Sequence, residues 1–542
     1  MSHDILIKNG LIMDGTGITP FEADVMVSGD KIEDIGSFKD ADATKIIDAK
    51  GLVVAPGFID CHTHLDFFFP SPRHAEVLES WVHQGVTTIV GGNCGYSPAP
   101  INHEKEELIN TFWNFALPHD GLKYEWTSFK EYLDVLQKNR QAFNVAILTG
   151  FNTLRTNVMG WDARIANSDE ISNMKKMLRE SLEQGSFGLS LGLYYVPGTY
   201  SNTNELMDLA SVLTEFKTPL VPHTRGLTDY YDKAVQEVID IAEKNKIPLQ
   251  LSHHAGGTTQ RVRRKALKAV KLAKERGVEI GHDNMPWAGG CTAVLAHLPP
   301  WMLDGGIEKL LERLQDPDVR KQAIDEIKNY KLQWPNWEHN YMTDKFFDRS
   351  THICGFKMEK NKKFEYMTIQ KIAKEFKKDI HNTLIDLIIE EKGKLFTVGF
   401  MDHPIAQKYY DELIADPDCS IETDVVGADF NNPFPPSYGN FTKVLGEMAR
   451  DRGVISQEDA IRKMTSLPAQ QMQIKERGIL KRGYFADITI FNPRTINSRV
   501  SFTKPFEFSE GIEYVFINGK LVLERGKYDA NAFAGKVLRR NN

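Results

Sequence analysis

Eight times between residues 52 and 426 the chain sets down a short apolar run and follows it with a longer stretch of helical periodicity. The runs are LVVAPGFID (52–60), TTIVGGNCG (87–95), NVAILTG (144–150), SFGLSLG (186–192), PLVPHT (219–224), PLQLSHH (248–254), VEIGHDN (278–284) and CSIETDVV (419–426). Stretches between them, such as DKAVQEVIDIAEKNK and RRKALKAVKLAKERG, carry apolar residues at helical spacing and charges on the outer face. Apolar strands without polar alternation are those of a parallel sheet covered on both sides. Eight such strand and helix repeats predict an α/β chain folded as a (β/α)8 barrel, in which chemistry sits at the C-terminal ends of the strands.

The two ends of the chain follow a different grammar. ILIKNGLIMDG, ADVMVSGDKIEDIG and KIIDAKG at the start, and ADITIFNP and IEYVFINGKLVLERGKY at the end, are alternating strands punctuated by Asn-Gly, Asp-Gly and Gly-Asp turns. Neither set is long enough to bury a sheet alone. Residues 1–56 and 481–542 are therefore expected to pair into one small β-sandwich, with the barrel spanning 57–480. An interval rich in Trp, Lys and Asp, about 298–366, reads as a lid segment inserted between the seventh and eighth strands.

Composition narrows the partners. A formal net charge of -7 argues against a nucleic-acid surface, which needs clustered Lys and Arg, so no nucleic acid is expected. No apolar run approaches the ~20 residues of a membrane span, and the first residues, MSHDILIKNG, lack the grammar of a secretory signal. The five cysteines (Cys61, Cys94, Cys291, Cys354 and Cys419) are scattered and odd in number, which is no disulfide framework. A cytoplasmic protein acting on a small molecule is expected, with assembly into a homo-oligomer left open.

The strand ends carry the candidate site. In GFIDCHTHLD, His62 and His64 are two apart on an extended chain and point the same way, which is half of a metal site. Cys94 ends the second run, His223 the fifth, His253 and His254 the sixth, and Asp424 the eighth. A barrel would converge them. Neighbouring strand residues face opposite ways, so His253 is read as the ligand and His254 as packing behind it.

On GFIDCHTH, GGNCG, NTLRTNVMG, GLSLGLYYVPGTYSNTNEL, LSHH, IETD, KVLGEMARDRGVISQEDAIRKMTSLPAQQ, RGILKRGYFADITIFNP and GIEYVFINGK, the sequence resembles the amidohydrolase superfamily and, within it, the D-aminoacylase or N-acyl-D-amino-acid deacylase family. The resemblance implies a hydrolase of carbon–nitrogen bonds other than peptide bonds. It implies one tightly held zinc ion at Cys94, His223 and His253, and room for a second, weaker ion at His62, His64 and Asp424, with Cys94 standing where many relatives carry a bridging carboxylated lysine. Zinc lowers the pKa of a water towards ~7 and polarises the scissile carbonyl. Asp424 would take the water's proton and hand it to the leaving amine. Arg225, in the HTR segment, either steadies an oxyanion or a neighbouring acid, or forms a structural ion pair near the barrel mouth.

Departures from the family pattern bear on the substrate. Where relatives hold a substrate carboxylate with arginine, tyrosine and serine, the segments FPPSYGNF, MPW and GGCT place Pro436, Met285 and Cys291. Ala255 replaces a lysine after the His pair of the sixth strand, and Phe151 a histidine after the third. Arg and Lys supply the charge-assisted bonds that hold a carboxylate; without them, Met285, Trp287, Cys291, Pro436 and Phe151 describe an apolar pocket. The leading expectation is a small, neutral or hydrophobic amide, cyclic amide or carbamate. One alternative is a D-aminoacylase with a relocated cation, for example Arg313 or Lys345. Another is a non-catalytic homologue, against which Asp424 and the His62, His64 pair both speak.

Overall fold

The computed structural model describes residues 3–39, 41–118, 121–257, 259–329, 347–400, 404–426, 434–501 and 504–540. Lys345 lies outside the described residues. The expected parallel strands are present, shorter than the apolar runs that announced them. They are Phe58–Asp60, Val86–Gly91, Asn144–Ile147 continuing as Thr149–Gly150, Leu189–Gly192, Leu220–His223, Leu249–Leu251, Ile280–Asn284 and Cys419–Ile421. The first three pair in order, and the third to the eighth pair in order, every register parallel. The eighth strand reaches back to the first. Asp424 N–H donates to the His62 carbonyl at 3.0 Å, and His64 N–H donates to the Val425 carbonyl at 3.0 Å.

Helices cover the outside of these strands. Tyr231–Asn245 and Gln260–Glu275 occupy the two stretches whose periodicity announced them. Ser168–Glu183 begins at a capping box in which Asn167 accepts from Asp169 and Glu170 N–H groups and Glu170 returns the bond; such a cap contributes about 1 kcal/mol. Its buried residues Met174, Leu178 and Leu182 join Leu189, Leu209, Leu213, Val238 and Leu249 in a core between strands and helices. A second core gathers Ile59, Cys61, Val90, Ala146, Leu148 and Val221 from the strands with Met472. The site stands on this packed floor.

The first apolar run is not one strand. Val53–Pro56 belongs to a nine-stranded sheet, between His3–Ile12 and Ile488–Phe491, and only Phe58–Asp60 joins the parallel set. The division falls at Gly57, where a Cβ would stand 2.2 Å from Thr87 Oγ1; only glycine lets the chain pass from one sheet to the other so close to its neighbour. The nine-stranded sheet draws on both ends of the chain, from Phe21–Ser28 and Lys31–Gly36 at one edge to Ile512–Ile517, Lys520–Glu524 and Lys527–Tyr528 at the other. Between the seventh and eighth parallel strands the chain builds a four-stranded antiparallel sheet from Gly289–Ala293, Phe396–Phe400, Thr351–Cys354 and Met367–Thr368. That structure starts before residue 298 and ends well beyond 366. No helix among the described residues is long and apolar enough to cross a membrane.

Candidate metal centre

The side chains singled out at the strand ends converge. Cys94 Sγ lies 3.3 Å from His62 Nε2, 3.5 Å from His223 Nδ1 and 3.6 Å from His253 Nε2. Asp424 Oδ1 lies 3.3 Å from His64 Nε2 and 3.5 Å from His62 Nε2. Two groups result, Cys94 with His223 and His253, and Cys94 with His62, His64 and Asp424, their ligand atoms within 4.8 Å of one another. Bond lengths of ~2.3 Å to sulfur and ~2.0–2.1 Å to nitrogen or oxygen, at tetrahedral angles, separate sulfur from nitrogen by about 3.6 Å and nitrogen from oxygen by about 3.3 Å. The spacings found match both. The donor set fits zinc, and Cys94 stands where the two groups meet.

Backbone conformation underlines the point. Cys94, His253 and Asp424 sit at φ of 49°, 34° and 47°, in the left-handed region that side chains other than glycine avoid. Each such residue is strained by about 1–2 kcal/mol, and strain of this kind collects at functional sites. The approach to Cys94 is correspondingly tight: a Cβ at Gly192 would stand 2.0 Å from the Cys94 carbonyl oxygen.

The charges are arranged to leave one reactive acid. Burial, reinforced by Asp424, Asp283 and Asp60, pushes the Glu422 carboxyl well above the usual carboxylate range. Burial also opposes charge on Asp424, but its bond to His64 and the nearby His62 and His253 outweigh that and hold its pKa below the ordinary value. Of the two acids on this strand, Asp424 carries the negative charge. Burial pushes the Cys94 thiol up, with Asp424, Asp283 and Glu422 adding to it. A thiolate there needs a cation beside it, which is what a metal supplies. Burial lowers His64 and His253, favouring the neutral imidazoles that bind metals, whereas Asp283 raises His62 in spite of burial.

A wall of rings joins the two groups. Trp113 meets His64 edge-on at 4.9 Å, Tyr195 lies 5.9 Å from Trp113, and His223 lies 4.7 Å from Tyr195. Phe112 and Tyr96 pack behind Trp113 and Tyr195. Sequence reading missed these residues. Trp113 sits in a loop after Cys94 and Tyr195 three residues past the fourth strand, and neither position is marked by periodicity.

The residues expected to line the substrate pocket are dispersed. Phe151 opens a helix and packs into the core between strands and helices, with Leu154 and Leu189. Pro436 opens another helix, and its carbonyl accepts from Gln84, which precedes the second strand and so stands at the opposite end of the strands from Cys94. Arg225 is buried against Glu237 at 3.1 Å and donates to the Thr199 carbonyl at 3.2 Å, which is the structural ion pair. Arg313 donates to the Met302 carbonyl at 2.9 Å and to that of Asp304 at 2.5 Å. Met285 and Trp287 are buried beyond the seventh strand, Trp287 beneath the Lys443 ammonium, 4.6 Å from the ring centroid. Cys291 lies on the antiparallel sheet opposite Val398, and it is its neighbour Thr292 that reaches Tyr195, hydroxyl to hydroxyl at 3.5 Å. His254 turns away from the centre to bond Tyr231 and pack on His282.

Comparison with known proteins places the chain. It is similar to the D-aminoacylase of Alcaligenes xylosoxydans xylosoxydans, 29% identical over 539 residues that cover 99% of this chain and 98% of that one. Its structure is similar to that of the N-acyl-D-glutamate deacylase of Bordetella bronchiseptica, solved with zinc and a phosphonate that mimics the tetrahedral intermediate. That TM-score is 0.81 at 27% identity, over 99% of this chain and 100% of the other. A D-aminoacylase with a binuclear metal centre, one metal activating and the second attenuating, matches with the same score, identity and coverage. The Amidohydrolase family pattern matches residues 45–336 and 388–523. The chain therefore belongs to the amidohydrolase family and is a metal-dependent hydrolase of carbon–nitrogen bonds other than peptide bonds.

Proposed function

We propose that the eight parallel strands form one closed (β/α)8 barrel, that the nine-stranded sheet is a β-sandwich domain made by both chain ends, and that the antiparallel sheet between the seventh and eighth strands is a lid. On this frame the enzyme hydrolyses an amide, cyclic amide or carbamate bond of a small substrate with zinc as its metal. Cys94, His223 and His253 would hold the tighter ion, and His62, His64 and Asp424, sharing Cys94, a second and weaker one. The observation that carries this reading is the convergence of six side chains from five strand ends at zinc-ligand spacing.

Zinc, when bound, supplies Lewis acidity and an activated water. The chain's own residues do the rest. Asp424, ionised and with its side chain 15% exposed beside both histidines, accepts the water's proton and delivers it to the departing nitrogen, which cannot leave as an anion. Trp113 and Tyr195 exclude water from the side of the substrate that they face. Three cations that could answer a substrate carboxylate are engaged: Arg225 by Glu237, Arg313 by carbonyl groups, and Lys443 by Glu447. A neutral or apolar group is the substrate feature this arrangement accepts.

A second reading has its own support. The similar enzymes are deacylases of N-acyl-D-amino acids, and Lys443 over Trp287 is a buried cation that could replace the missing arginine. Turnover of an N-acyl-D-amino acid against its amide and methyl ester, by zinc-loaded enzyme, separates the two. Faster turnover of the neutral forms is expected; a strong preference for the free acid would establish the second reading.

A further inference from the structure

Asp283 is the last residue but one of the seventh strand, and both oxygens of its carboxylate are in use. Oδ1 accepts the backbone N–H of His253 at 2.7 Å and faces His62 Nδ1 at 3.4 Å. Oδ2 accepts the side-chain amide of Gln250 at 3.1 Å, and the Asp283 carbonyl accepts the N–H of His254 at 3.1 Å. The side chain is fully buried. His253 belongs to one ligand group and His62 to the other, so a single carboxylate touches both.

Each contact does definite work. His253 stands at φ 34°, which persists only if the surroundings hold it, and the 2.7 Å bond to its N–H does so. His62 Nδ1 makes no hydrogen bond among the described residues, and the Asp283 carboxylate, 3.4 Å away, is the acid it faces. A proton on Nδ1 directed at Asp283 leaves the Nε2 lone pair facing Cys94 and Asp424, at 3.3 Å and 3.5 Å. Carboxylates behind metal-binding imidazoles fix tautomer and ring orientation in this way. Gln250 fixes the rotation of the carboxylate itself.

We propose that Asp283 is the positioning residue of the metal centre, holding His62 in its metal-facing tautomer and His253 in its strained backbone, and so coupling the two ligand groups. The proposal rests on the metal-centre reading given above. Asn at this position keeps the volume but offers one acceptor oxygen to three donors, so at least one donor meets an NH2 group.

The test is metal binding, measured without turnover. Zinc affinity by chelator competition, and the visible spectrum of the cobalt-loaded protein, are compared for wild type, Asp283→Asn and Gln250→Met, alongside the melting temperature of each metal-free protein. Asp283→Asn is expected to bind zinc ~10–100-fold more weakly with an altered cobalt spectrum. Gln250→Met, which removes one bond to the carboxylate, is expected to bind ~2–10-fold more weakly. A merely structural residue would lower the melting temperature and leave affinity and spectrum alone. Wild-type affinity and spectrum in Asp283→Asn overturn the proposal; if that variant does not fold, unchanged affinity in Gln250→Met does so. Absence of stoichiometric zinc in the wild-type protein would instead remove the metal-centre reading beneath it.

Discussion

The metal centre and the wall of rings stand side by side and are tied down by different means. The centre's ligands are tied through the backbone: His223 is in register with Gly192, Asp424 N–H donates to the His62 carbonyl, and His64 N–H to that of Val425. The wall is made of loop residues, Trp113 after a short helix and Tyr195 after the fourth strand, placed by ring packing instead. Backbone hydrogen bonds thus hold the ligands, and ring packing holds the wall.

The contrast can be broken first at the centre. Asp424→Asn should lower kcat by ~10²–10⁴-fold while zinc content stays near wild type, since it removes a proton carrier and keeps the shape. Cys94→Ala should empty both ligand groups, with a fall in zinc affinity greater than the ~10–100-fold of indirect changes. Retention of zinc by the Cys94 variant would mean that the two groups do not share it. Metal analysis and steady-state kinetics on the same samples decide both.

The wall sharpens the contrast. Trp113→Leu should reduce kcat/KM by ~10-fold, chiefly through KM, because it removes an apolar contact and leaves the ligands in place. Pro436→Ala, at the far end of the strands, should stay within about twofold of wild type. Equal losses in the two variants would put the substrate elsewhere. Gly192→Ala bears on the seam between the regions: its methyl would strike the Cys94 carbonyl oxygen, so a destabilisation of about 1–3 kcal/mol, accompanied by weaker zinc binding, is expected from thermal melts with and without metal.

A pH-dependent effect concerns the antiparallel sheet. Burial lowers the pKa of His297 to about 4, and its Nε2 lies 2.9 Å from the Thr397 hydroxyl. The unfolded chain binds a proton near pH 6.5 that the folded one refuses until about pH 4, so stability is full above 6.5 and falls as the pH drops through that window, by up to roughly 3 kcal/mol. His297→Asn should flatten the pH dependence of melting across this range.

Strand ends were legible in the sequence because parallel topology turns distance along the chain into proximity. His62, His64, Cys94, His223, His253 and Asp424 needed only strand order to be brought together. Asp283 occupies a strand end of the same kind and could have been found by the same rule, had acids been weighed together with histidines. Pro436 and Phe151 misled because correspondence with a family pattern fixes a place in the sequence and not a direction in space. One helix begins at the wrong end of the strands, and the other turns its first ring into the outer core. The break at Gly57 was foreshadowed by Pro56-Gly57, but a run apolar throughout reads as a single strand whichever sheet each half joins.

That break has a thermodynamic corollary. Eight consecutive residues, 53–60, are stitched at one extremity to strands contributed by the beginning and the close of the polypeptide, and at the other run within two positions of an imidazole in the ion's cradle. Occupancy of that cradle should therefore steady residues 53–56 and the two strands beside them, with amide protons there exchanging more slowly once the ion is aboard.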